Sequence, residues 1–179
     1  MSEEIVNRRF PIGRERYIQR SGKLLEHRLG QIFQELGFGT EIAKGQENGL
    51  DIRVFQNRSL VIAGEICNWS VRSSLNLKRK DNIINNLTGY SCKKVLFYTC
   101  LENEVTLADL PSYGIDLIKL DNQILPRYFY DFYAHKNQIV SRRIDSRETR
   151  QDIMSKLLEY LQSINLLPQA TVVVTGPLV

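Results

Sequence analysis

The stretch GLDIRVFQNRSLVIAGEICNWS, residues 49–70, decides the fold. Its two β-prone runs, 50–56 and 60–69, flank turn residues Asn57 to Ser59 and predict an antiparallel hairpin. If Asn57, Arg58 and Ser59 form a three-residue loop, Gln56 faces Leu60 and Asp51 stands directly across from Glu65. Facing residues share one side of the sheet, with Cβ atoms about 4.5–5.5 Å apart. Two carboxylates that close raise one another's pKa unless a proton or a cation lies between them. A two-residue loop would instead set Asp51 against Gly64 and turn Glu65 to the other face. The residues leave both registers open, and equally a hairpin whose two acids are simply solvated.

Upstream, Leu25, Leu29, Ile32, Phe33 and Leu36 recur at helical spacing between Gly22 and Gly37, a natural stop. Glu26 lies about 20° from Phe33 on the wheel, at the border of this stripe, where it can look inward or reach solvent. A further β-prone run covers 39–44, so three antiparallel strands follow the helix. Downstream, Ser73 or Ser74 can cap a helix to about Leu87, KKVLFYTC reads as an interior strand, and IDLIKL (115–120) as one more. Pro126 opens an aromatic-rich helix through His135. Asp145 and Glu148 make a capping-box start for a last helix with Ile153, Leu157, Leu161 and Ile164 in a stripe. The expected fold is α/β: an αβββαβ core with a mixed central sheet flanked by helices, plus a C-terminal helix. Residues 1–140 form the domain, 141–166 the packing or dimerising helix, and 167–179 a fraying tail.

With 42% hydrophobic residues, 179 residues can bury a sizeable core. No apolar run approaches the roughly 18 residues of a membrane helix, and MSEEIVNRRF lacks a secretory h-region, so a cytoplasmic protein is expected. Cys67, Cys92 and Cys100 offer no CxxC pair, and His27 and His135 lie far apart, which disfavours a zinc site. No GxxxxGK[ST], GxGxxG or GxSxG is present. The net charge of +4 is unevenly spread: residues 70–94 carry six cations against Asp81 alone, and 101–121 five acids against Lys119 alone. A basic run of that kind suits a phosphate backbone or a solvated helix face.

The layout LLEHRLGQIFQELGF, GLDIRV, VIAGEICNWS, a helix and then KKVLFYTC resembles the PD-(D/E)XK nuclease superfamily over roughly residues 20–100. Within it the chain looks closest to archaeal Holliday-junction resolvases and restriction enzymes that cut methylated DNA. The resemblance implies a restriction-endonuclease-like fold. It implies that Glu26, Asp51 and Glu65 gather around Mg²⁺ or Mn²⁺, and that a lysine two residues after Glu65 assists the attacking water. Cys67 occupies that place. A thiol is a poor Mg²⁺ ligand, and beside two carboxylates its pKa should rise.

Three readings of Cys67 follow: a small core residue with the cation supplied by Lys78 or Lys80, a mark of lost catalysis, or a redox thiol. The implied activity is a metal-dependent DNA endonuclease of repair, recombination or restriction type, with Arg72, Lys78, Arg79, Lys80, Lys93 and Lys94 on the backbone. Trp69 contacts DNA or caps the core, and Tyr128, Phe129, Tyr130, Phe132 and Tyr133 stack on bases or pack at a homodimer face. The alternative is a catalytically degenerate DNA-binding subunit, and beyond that a protein scaffold without a nucleic-acid role.

Overall fold

A computed structural model describes residues 14–43, 49–69, 74–99, 101, 103–125 and 142–169. Helix α1 (Arg14–Glu35) begins eight residues before Gly22 and ends where the sequence signals. Gly37 takes φ 94°, and the Phe38 amide donates to the Phe33 carbonyl, closing the helix with a left-handed residue. The two phenyl rings meet edge to face across that turn, 6.2 Å apart.

Strands β1 (Gly39–Ile42), β2 (Ile52–Gln56) and β3 (Ser59–Cys67) are antiparallel neighbours. Helix α2 (Leu77–Thr88) crosses over to β4 (Lys93–Tyr98), which runs parallel to β3. Two 3₁₀ turns, Glu104–Leu107 and Leu110–Tyr113, lead to β5 (Ile115–Lys119), parallel to β4. The protein is thus an α/β fold around a mixed five-stranded sheet of order β1-β2-β3-β4-β5, with β4 interior as its apolar run requires. A short parallel pair, β6 (Gln123–Leu125) and β7 (Arg142–Ile144), precedes the C-terminal helix α3 (Arg147–Ser163).

Each sheet face has its own core. Leu25, Leu29, Ile32 and Phe33 of α1 and Ile153, Leu157 and Leu161 of α3 cover Ile52, Val54, Ile62 and Phe97. On the other face, Ile83 and Leu87 of α2 cover Ala63, Cys67, Leu96 and Tyr98.

The caps of α2 and α3 differ from the sequence expectation by one to three residues. Asn76, not Ser73 or Ser74, caps α2 by accepting from the Arg79 amide at 2.8 Å. Ser146, not Asp145, caps α3. Asp145 instead accepts from Arg28 Nε (2.8 Å) and lies 2.7 Å from its Nη2, tying α3 to α1. The aromatic segment 126–135, Arg72 and the tail from 170 lie outside the described residues. Among the described residues no helix is long and apolar enough to cross a membrane.

Candidate functional site

The hairpin resolves the register in an unexpected way. Its loop has two residues, Asn57 and Arg58, both at positive φ (50° and 67°), so Gln56 faces Ser59. That register alone would have separated the acids. A bulge between Val54 and Phe55 then shifts the ladder by one residue, giving Val54 opposite Ile62 and Ile52 opposite Gly64. Asp51 is thereby carried to the Glu65 level: its amide donates to the Gly64 carbonyl at 3.1 Å, and its Oδ2 accepts from the Ile66 amide at 2.8 Å.

Glu65 is only 1% exposed. Burial, then a hydrogen bond shared with Asp51, then the Asp51 charge itself, push its carboxyl up to about 9, against the opposing pull of Asn86 and Arg79. The pair therefore holds a proton at neutral pH unless a cation replaces it. Glu26, 6% exposed, lies on the edge of this cluster. Burial raises its pKa, Lys23 opposes that, and the Asp51 charge adds to it. Its Oε2 accepts from Lys23 Nζ at 3.0 Å, and the same ammonium reaches the Ala43 carbonyl at 3.1 Å.

Helix α2 closes the other side. Arg79, Ile83 and Asn86 lie at i, i+4 and i+7 on one face, with Ile83 buried. Asn86 Nδ2 donates to Glu65 Oε1 at 2.6 Å. Arg79 Nη2 lies 3.7 Å from Cys67 Sγ, and its positive charge acts on Glu65 as well. Burial works against the guanidinium charge, but Cys67, Glu65 and Asp51 outweigh it and raise the Arg79 pKa. Cys67 is 3% exposed and free of any disulfide. Burial drives its thiol up to about 12 despite Arg79, so it is neutral and unreactive.

The lysines expected at this point go elsewhere. Lys80 Nζ pairs with Asp109 Oδ1 at 2.6 Å, so the basic run around α2 is partly neutralised by the acidic run after β4. Lys78 is exposed. Lys93 and Lys94 open β4, opposite Ile62 and Ala63, so they sit on the far side of Glu65 from Cys67. Trp69, just past β3, packs its ring 6.3 Å from that of Tyr98 and is half-buried. Asn68 pairs with both backbone groups of Ile124, a structural role.

Arg79 and Asn86 are thus the site residues that sequence reasoning placed on the DNA backbone or did not name. Their signal was partial: on the α2 wheel Arg79 lies about 40° and Asn86 about 60° from the apolar Ile83, on the side away from Leu87.

The donor set suits a hard cation. Asp51 and Glu65 offer only carboxylate oxygens, and Mg²⁺ is commonly held by one or two carboxylates with water and phosphate completing its shell. Among the described residues no group of three or more His, Cys, Asp or Glu closes around one point. No protein-family model matches the chain, and no curated protein matches it significantly.

Proposed function

We propose that the protein is a metal-dependent DNA endonuclease in which Arg79, supplied by α2, fills the cationic role that Cys67 cannot. The observation carrying this reading is the bulge-enforced pairing of Asp51 with the buried Glu65, held open to a cation by one proton. Three consecutive cations, Lys78, Arg79 and Lys80, stand in the first turn of α2 with no acid among them. The helix dipole disfavours that arrangement, and an anion at the site relieves it. Asp51 and Glu65 would hold Mg²⁺ or Mn²⁺, with Glu26 in support as a further ligand or through a bound water. The ion would supply an activated water and a clamp on the phosphate oxygens. Arg79 presents a planar fork matched to a phosphate and remains charged, so it acts on the phosphate and not on the water's proton. Lys78 extends the contact along the backbone. A cytoplasmic setting suits a DNA substrate and the unpaired Cys67 and Cys92.

The permanent charge of Arg79 also favours a second reading. A residue that cannot exchange a proton serves phosphate binding as well as it serves catalysis, which fits a nuclease-fold DNA-binding subunit. Branched, methylated and plain duplex DNA incubated with the protein in Mg²⁺ or Mn²⁺ separates the two. Cleavage that drops more than about 100-fold in Asp51→Asn supports the enzyme. Absence of cleavage, with salt-dependent binding weakened in Arg79→Ala, supports the subunit. Absence of both removes the nucleic-acid role.

A further inference from the structure

We infer that Asn86 is a positioning residue that sets Glu65 for the divalent ion, an inference that rests on the metal-site part of the reading above and not on cleavage. Glutamate has three side-chain torsions, and a carboxylate left free to sample them pays ordering entropy whenever it takes up a ligand. Glu65 has little such freedom. It rises from the middle of a buried strand, between Ala63 and Cys67 on the α2 face, and Asn86 holds its Oε1 at 2.6 Å. With Oε1 occupied, Oε2 is the oxygen left to turn toward Asp51 and an ion between them.

The chemistry of the donor matters as much as its place. A lysine or arginine at position 86 would neutralise Glu65 by itself and compete with a metal ion. A neutral amide satisfies one lone pair and leaves the negative charge available. The same helix face delivers the cation separately: Arg79, two turns earlier, reaches Cys67 Sγ at 3.7 Å. One rigid helix thus assigns two different tasks to two neighbouring points of β3, orientation at Glu65 and charge at Cys67. Partners that orient a metal ligand in this way are worth about 10- to 100-fold in metal affinity.

Mn²⁺ titrated into the protein without DNA, followed calorimetrically and by the electron paramagnetic signal of free Mn²⁺, tests this. Asn86→Leu keeps the bulk and removes the donor; Asn85→Leu, on an exposed neighbour, is the control. The expected result is a 10- to 100-fold weaker Mn²⁺ affinity in Asn86→Leu, an unchanged one in Asn85→Leu, and partial recovery in Asn86→Gln. Circular dichroism melts establish that each variant is folded, and Asn86→Ala replaces the leucine variant if that one is not. Equal affinity in the parent and the folded Asn86 variant overturns the inference while leaving the metal site standing. No Mn²⁺ binding by the parent overturns both. Binding without DNA cleavage removes the nuclease reading alone.

Discussion

Asp145 and Glu65 are both acids enclosed between a helix and a sheet with an arginine near, yet the two places are built to opposite ends. At Asp145 one acid meets two guanidinium groups: Arg28 Nε and Nη2 both reach Oδ2, at 2.8 and 2.7 Å, and Arg150 Nε lies 3.8 Å from Oδ1. At Glu65 two acids are pressed together, the closest donor is a neutral amide, and Arg79 stops 3.7 Å from a sulfur. Charge is met by arginine in the first cluster, whereas in the second two carboxyl groups keep one proton at neutral pH and carry excess charge once it leaves. The first cluster holds α1 and α3 together through Asp145 Oδ2, while Asp145 Oδ1 is buried without a hydrogen-bond partner among the described residues. An uncancelled cluster such as the second costs folding free energy, which the proposed cation would relieve.

Breaking the cancelled cluster should give the largest effect on stability. Arg28→Ala leaves Asp145 enclosed without its main counter-ion, and removing one member of such a pair costs about 3–5 kcal/mol. Arg150 Nε lies 3.8 Å from Asp145 Oδ1 and can take over part of the role, so the lower end, about 3 kcal/mol, is expected in urea unfolding. Mn²⁺ affinity should stay at the parent value. If the loss were under about 1 kcal/mol, the Asp145 cluster would behave like an exposed ion pair and the contrast with Glu65 would fail.

Relieving the uncancelled cluster should work the other way and depend on pH. The Glu65 carboxyl rises from its ordinary value near 4.5 to about 9 in the folded protein. A group raised in this way contributes stability that is present in full below about pH 4.5 and is lost as pH climbs through 9. Without divalent ions, the parent should therefore lose stability relative to Glu65→Gln between pH 5 and 9, on the order of 2 kcal/mol. At pH 8.5 the glutamine variant should melt above the parent, and Mg²⁺ should raise the parent's melting temperature more at pH 8.5 than at pH 5.5. Parallel pH profiles for the two proteins would show that Glu65 carries no excess charge to be relieved.

The same contrast explains what the sequence could reveal. Periodicity exposed the five strands of the main sheet, the α1 stripe, the interior place of β4 and the α3 stripe, because each buries a regular set of side chains; the three-residue strands β6 and β7 are too short to show a pattern. The facing of Asp51 and Glu65 stayed open, because it follows from a three-residue loop and not from a two-residue one. The protein has a two-residue turn plus a bulge at Val54 and Phe55, which together give the three-residue register, and bulges leave little trace in a hydrophobic pattern. The cation was sought among lysines because of their reach. The α2 wheel alone does not separate Arg79, about 40° from Ile83, from Lys80, about 20° from Leu87; the long-range pairing of Lys80 with Asp109 does. Pairing of Asp145 with Arg28 spans 117 residues, and no local pattern could show it.

The smallest effect, and the sharpest test of the uncancelled cluster, concerns whether Cys67 and Arg79 share one position for one positive charge. Cys67→Lys places an ammonium on β3 where the guanidinium now arrives from α2. Two like charges about 4 Å apart repel appreciably even at an effective dielectric of 20, and only part of that is returned by Asp51 and Glu65. In the Arg79→Ala background the same lysine meets the acids without the competitor. The two substitutions should therefore couple, with the double variant more stable than the sum of the singles by about 1 kcal/mol in urea unfolding. DNA affinity in Mg²⁺ should follow the same order, being lower in each single variant than in the double. Coupling below about 0.3 kcal/mol, within the additivity of separate sites, would mean that Arg79 does not hold the place a strand lysine would take. The excess charge at Glu65 would then be unanswered by any cation of the protein's own.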